Sequence, residues 1–350
     1  MCVKKLIQNN MKESLIIIGN DRLIFDRNSA VAKRQIEYAK DFSEVHIIVF
    51  TNKNYHEIAL SDNVWVYPTR SLSKLFYVTD AINLAKFIMK NKKITKITTQ
   101  DPWLTGMVGV SLKKNSNINL EIQIHGDIGS EYFAKNAKNK FLKLLALSNI
   151  PKADHIRVVS NIIKTYLIRS LNVDEAKIEV RPIIINTDLI KAQPIDPAYD
   201  LHKKYGQFSK IILMSSRLEK EKNVKLAIES MKYIVSKDQA LSVGLIIVGD
   251  GSQKNSLEKY VRACKLEKYV VFEPWIEFQK LISYYKTCDI FLSTSDYEGY
   301  GMTFIEANAA GAKIVSTDVG IAKEIGATIV NRIPEEISET ILALLEAKKN

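Results

Sequence analysis

The chain has 350 residues, 46% of them apolar and 25% charged, a balance that excludes a disordered protein and a length that suits two domains. No apolar run approaches the roughly 18–20 residues that cross a bilayer. Ser14 to Gly19 is too short for a secretory leader and has no cleavage site after it, so a cytoplasmic protein is expected. The net charge of +11 is uneven, with 28 Lys+Arg against 18 Asp+Glu up to Ile190 and 22 against 21 beyond it. A basic first half suits an anionic membrane surface or an acidic substrate, but scattered lysines of a Lys/Asn/Ile-rich composition read equally as a solvated surface.

In chain order, the short apolar runs 15–19, 45–50, 64–67, 94–99, 120–125 and 155–160 read as strands. Amphipathic stretches such as 29–42 and 79–91 lie between them as helices. Strands that are apolar throughout are covered on both faces, the mark of a parallel sheet between helix layers. Prolines at 182, 194 and 197 and the lack of a period mark a break over 181–200. The alternation then restarts, with strands at 210–215, 243–249, 269–273, 289–294 and 313–317 and helices near 222–236, 253–265, 278–286 and 303–309. The fold class is therefore α/β, two Rossmann-like doubly wound parallel-sheet domains facing across a cleft. The expected bounds are 1–185, a linker over 186–208, and 209–350, with residues before Met11 an upstream extension.

Cys2, Cys264 and Cys288 have neither metal nor redox spacing, and the five histidines form no ligand pair. Reduced thiols and no metal are expected.

The stretch SDYEGYGMTFIEANAAG places Glu298 on a strand-to-helix loop and Glu306 one turn into the helix. Gly299 and Gly301 allow backbone to approach a ligand closely. The free amides and positive dipole end of the helix suit a phosphate. On spacing alone the two acids also read as solvent-facing charges. Upstream, SSRLEKEKN puts Arg217 and Lys222 beyond the first strand of the second half, five residues apart, suited to a diphosphate. VGDGSQ, with Gly249, is a third glycine turn on the same edge; it is not a Walker loop.

These motifs, in this order, resemble the retaining glycosyltransferases of family four, group 1, which have the GT-B fold. The resemblance is strong over 210–330 and looser before. It implies a nucleoside-diphosphate-sugar donor and an acceptor hydroxyl on a surface glycan or lipid-linked saccharide. It implies that Arg217 and Lys222 neutralise the diphosphate, that Glu298 contacts the transferred sugar and that Glu306 holds the ribose. Amides of Tyr300, Gly301, Met302 and Thr303 would support sugar and phosphate, and Ile276 in FEPWIEF would meet the base. There the family's usual glycine is replaced by Pro274.

In the first half, His125 in QIHGDI sits where the family has a histidine reaching the donor sugar; without the resemblance it reads as structural. Asp127 either orients the acceptor or caps the next segment. The first loop, 19–34, has one glycine where many members have a pair, leaving Gly19 for the donor and Arg22 or Arg27 for charge. Asn28/Ser29 read as the N-cap of the next helix. The family's terminal crossover helix is expected to be missing after residue 350.

The expected activity is thus retaining, metal-independent sugar transfer without a cofactor. Its setting is the cytoplasm or the inner membrane face, and no nucleic-acid partner is expected. Two rivals stand beside it: a GT-B-like nucleotide-sugar epimerase, and a non-catalytic sugar-nucleotide-binding or scaffold protein.

Overall fold

The computed structural model describes residues 12–52, 54–114, 116–237 and 242–346. Cys2 and the upstream extension expected before Met11 lie outside the described residues. The chain divides into two compact units. One runs to Gly129 and resumes over Phe133–Arg181; the other comprises Ser130–Tyr132 and the chain from Pro182.

The first unit is built on an eight-stranded sheet: β1 (Ser14–Gly19), β2 (Glu44–Val49), β3 (Ile58–Ser61), β4 (Val64–Pro68), β5 (Lys96–Thr99), β6 (Asn119–Ile124), β7 (His155–Val158) and β8 (Ile178–Val180), in the order β3-β4-β2-β1-β5-β6-β7-β8. All neighbours are parallel except β3, which pairs antiparallel with β4. β3 was not expected; a half-exposed edge strand lacks the unbroken apolar run that marks its neighbours. The helices are α1 (Ala30–Tyr38), α2 (Tyr77–Asn91), α3 (Leu104–Lys114), α4 (Ala137–Asn149) and α5 (Asn161–Leu171). Ser29 caps α1 by accepting from the Ala32 amide at 3.1 Å.

The second unit carries β9 (Lys210–Ser215), β10 (Val243–Val248), β11 (Val270–Glu273), β12 (Ile290–Ser293), β13 (Lys313–Thr317) and β14 (Thr328–Val330) in one parallel sheet, in the order β11-β10-β9-β12-β13-β14. Its helices are α6 (Thr187–Ala192), α7 (Leu201–Lys204), α8 (Val224–Lys237), α9 (Lys254–Ala263), α10 (Phe278–Thr287), α11 (Met302–Ala309) and α12 (Pro334–Glu346). The stretch read as a linker, 186–208, carries α6 and α7 and lies on α10. Ser283 accepts from the Asp196 amide at 2.9 Å and Thr287 from the Leu201 amide at 3.0 Å, while Ile190 and Leu201 are buried.

The chain steps outward from β9 through β10 to β11, then returns to place β12 on the other side of β9. The loops after β9 and β12 therefore diverge at the carboxyl edge of the sheet, where open α/β sheets hold ligands. Among the described residues no helix is long and apolar enough to cross a membrane.

Candidate functional site

At this switch point the loop after β9 ends in a tight turn, Lys220–Lys222, closed by Asn223 in the left-handed region at φ 45°. The turn carries Lys222 to the loop after β12. Its Nζ lies 2.6 and 2.7 Å from the two oxygens of Glu298, and the side chains are only 14% and 12% exposed. Ser295 donates to the same carboxylate at 2.8 Å. The loops are laced together by the Asp296 amide on the Glu221 carbonyl, Asn223 on the Asp296 carboxylate and Thr294 on the Asn223 carbonyl, at 2.8, 3.2 and 3.0 Å. Arg332, beyond β14, grips Asp296 at 3.0 Å. A small pocket between the strand ends is lined by Ser215, Ser216, Ser293, Ser295, Glu298 and Thr303.

Arg217 leaves the same strand end, but its guanidinium is 68% exposed and pairs with Glu221 at 3.2 Å. An exposed pair of this kind is weak, so the guanidinium is held lightly on the surface. Gly249 follows β10 at φ 144°, and a Cβ there would stand 2.0 Å from the Ser216 carbonyl oxygen. The GDG turn thus has a packing reason for its first glycine. It braces the Arg217 loop, with the Leu218 amide on the Asp250 carbonyl at 2.8 Å and Ser252 on Glu219.

Gly301, at φ 91°, is the N-cap of α11, and no side chain caps this helix. The backbone of Tyr300, Gly301, Met302 and Thr303 therefore turns into a helix start whose first amides have no capping side chain. Tyr300 is buried, its hydroxyl meeting the Ile183 backbone. Its carbonyl accepts from the Ile321 amide at 3.0 Å. One turn further, Glu306 accepts from the Tyr285 hydroxyl at 3.1 Å. Burial lifts the Glu306 pKa above the usual carboxylate range, and the tyrosine bond works against that lift. Ile276 is half-buried in the loop between β11 and α10.

In the first unit Gly19 closes β1 against Gln100, whose Oε1 would be 2.3 Å from an added Cβ. Asn20 donates to the buried Asp101 at 2.9 Å. Arg22 is committed to structure: it donates to the Tyr77 hydroxyl at 2.8 Å and to the Phe50 carbonyl at 3.2 Å. Arg27 is exposed. Asp127 accepts from the Gly129 amide at 3.0 Å and so closes its own turn. His125 follows β6 directly, with Nε2 3.1 Å from the Gln123 Oε1. The residue is exposed to solvent by area. The ring is nonetheless crowded by protein atoms, and that burial, with the positive Arg157 and Arg34, pushes its pKa down to about 4. It is a neutral imidazole at neutral pH.

Residues 201–349 match the family model described as glycosyl transferases group 1, and residues 37–189 match glycosyltransferase family 4. The chain belongs to the group 1 glycosyltransferases. Its two parallel α/β units are those of the GT-B fold.

Among its relatives, this glycosyltransferase is 25% identical over 283 residues to an uncharacterised glycosyltransferase of Methanocaldococcus jannaschii, covering 78% of the chain and 71% of the relative. It is 24% identical over 241 residues to the alpha-monoglucosyldiacylglycerol synthase of Streptococcus pneumoniae, covering 65% of the chain but only 53% of that protein. Its fold is similar to that of Anabaena HepE in complex with UDP and glucose, with a TM-score of 0.68 at 17% identity, over 96% of the chain and 90% of HepE.

Several residues that shape the glycosyltransferase's site carry no local signal. Gly320 is at φ 53°, and a Cβ there would lie 2.4 Å from the Tyr300 carbonyl oxygen and 3.0 Å from the Glu298 Cβ. Arg332 reaches in from beyond a three-residue strand. Tyr285 reads as ordinary helix core until its hydroxyl is seen on Glu306. A strand-end glycine after Thr317 was the one legible clue among them.

Proposed function

We propose that this glycosyltransferase moves a sugar from a nucleoside-diphosphate donor to an acceptor hydroxyl, with retention at the anomeric carbon. The observation that carries the reading is the Lys222–Glu298 pair at the sheet's switch point, beside the uncapped start of α11. A diphosphate fits such a place: amides of Met302 and Thr303, the helix dipole and the charge of Arg217 favour it, with Lys222 beside them in its pair with Glu298.

The chemical barrier is departure of the diphosphate while positive charge develops at the sugar. Fixed positive groups at the leaving oxygens lower it. Glu298, held on both oxygens by Lys222, is suited to hydrogen-bond sugar hydroxyls and poorly suited to act as a nucleophile. Glu306, steadied by Tyr285, is suited to the ribose hydroxyls, and Ile276 to the base. His125 is assigned a hydroxyl of the donor sugar. Arg217 and Lys222 take the part of a metal, so transfer is proposed to need none. UDP is a fitting carrier because HepE binds it in the same fold.

The acceptor is proposed to be a glycan or lipid-linked saccharide at an anionic membrane face. On α4, Phe141 and Leu144 are 57% and 65% exposed, and the helix carries Lys138, Lys140 and Lys143 with no acidic residue. An outward apolar stripe flanked by lysines is the pattern of an interfacial helix.

The test is a panel of nucleoside-diphosphate sugars scored by thermal shift, followed by turnover with Glu298→Gln and His125→Ala in the presence of EDTA. Retained nucleotide binding with lost transfer supports catalysis at this site. Tight binding without turnover on any acceptor points instead to a sugar-nucleotide-binding protein.

A further inference from the structure

On the side of the first sheet that α1 covers, β1, β2 and β4 present Leu15, Ile17, Val45, Ile47, Val49, Val64 and Val66. Across β1 the same face changes character. Ile17 is in register with Thr98, Thr98 with Glu121, and Gln123 with Arg157. A buried polar strip replaces an apolar one, and an apolar strip would have packed at no desolvation cost. The strip therefore calls for a reason other than core formation.

Its hydrogen bonds run in one direction. Lys96, which only donates, holds Glu121 Oε2 at 2.8 Å. Thr98 spends its hydroxyl proton on Glu121 Oε1 at 2.8 Å. The carboxylate only accepts, and the threonine oxygen has only lone pairs left. Both therefore face a donor, and that donor is Gln123 Nε2, at 3.3 Å from Glu121 and 3.1 Å from Thr98. The amide's orientation follows, with its oxygen turned to His125 Nε2 at 3.1 Å. Burial opposes ionisation of Glu121, but Lys96, Thr98 and Gln123 outweigh it and hold its pKa below the usual carboxylate range.

We infer that the Lys96–Glu121–Gln123 chain is a positioning device that places the proton of His125 on Nε2 and leaves Nδ1 as a lone-pair acceptor. Desolvation of the ring first, and then the like charges of Arg157 on β7 and Arg34 on α1, keep it from gaining a second proton. Nδ1 then selects a hydroxyl that donates a hydrogen bond and rejects a carboxylate or phosphate, which has no proton to give. The use of this selection in transfer rests on the role proposed for His125; the tautomer itself does not.

The experiment is two-dimensional 15N–1H spectroscopy of the histidine rings in the full chain, with His125 assigned from the spectrum of His125→Ala. At pH 7 the expected pattern is a neutral ring protonated at Nε2. Gln123→Met removes the acceptor and is expected to mix the tautomers and to lower kcat about 10-fold or more. A wild-type ring protonated at Nδ1, or an imidazolium, overturns the inference. So does a Gln123→Met protein with a native melting curve and an unchanged ring spectrum. Should Gln123→Met fail to fold, the wild-type spectrum still decides the tautomer. An active His125→Ala enzyme would remove the proposed catalytic use while leaving the spectrum to judge the chain.

Discussion

Lys222 Nζ sits within hydrogen-bond distance of both carboxylate oxygens of Glu298, so one residue expected at the diphosphate and another expected at the sugar neutralise each other. The pairing ties the β9 and β12 loops and sets the charge of the site. One carboxylate is cancelled, and Arg217 remains extended toward solvent as positive charge. Glu306, eight residues beyond Glu298, instead accepts from the Tyr285 hydroxyl.

Breaking this pair on one side leaves a nearly buried charge alone. Lys222→Ala and Glu298→Gln should each destabilise the protein, by less than the roughly 3–5 kcal/mol of a fully buried pair because both side chains keep some solvent. The double variant should lose less than the sum of the singles. Chemical denaturation of the four proteins in a double-mutant cycle measures this; additive losses would show the pair uncoupled.

Gly301 tests the start of α11. At φ 91° an alanine is strained, and its Cβ would fall 2.4 Å from the Phe304 ring. Gly301→Ala should cost about 1–3 kcal/mol of stability and weaken nucleotide protection in a thermal-shift assay. A variant with wild-type melting and wild-type UDP or GDP shifts would count against a ligand at this helix start.

Two titrations should shape the pH response. The Glu306 pKa is raised by burial, so the ionised form proposed to hold the ribose is lost on acidification earlier than for an ordinary glutamate, and donor affinity should fall on the acid side. Tyr285→Phe removes the bond that restrains this rise, and the acid limb should move to higher pH in calorimetric titrations. His125 has its folded pKa depressed to about 4. Its stabilising contribution is full above the unfolded value near 6.5 and is lost as pH falls through about 4, because the unfolded chain binds the proton first. Replacing it with Asn should flatten the fall in melting temperature between those values.

The α4 surface predicts sedimentation with vesicles rich in anionic phospholipid and little with neutral ones. Phe141→Ser with Leu144→Ser should reduce binding about 10-fold or more at unchanged melting temperature, since both side chains already face solvent. Raised salt should weaken the wild-type interaction through its lysines. Equal binding to both vesicle types would remove the electrostatic part of the reading.

Much of the fold was legible in the residues. Helices expected near 222–236, 278–286 and 303–309 are found at Val224–Lys237, Phe278–Thr287 and Met302–Ala309. The reason is local: runs such as Ile211–Met214 and Leu245–Val248 are buried on both faces, and helix periods and caps are written within a few residues. The half-exposed β3 and the three-residue β8 and β14 escaped because so short a pattern carries no period.

The amino-acid sequence by itself determined the α/β alternation, the two units' motifs and the loops on which Arg217, Lys222, Glu298 and Glu306 stand. Only the tertiary structure decided who meets whom. Lys222 and Glu298 are 76 residues apart, and they touch because β12 returns to the free side of β9. Strand order is set by packing of the whole sheet, and no local stretch of residues encodes it.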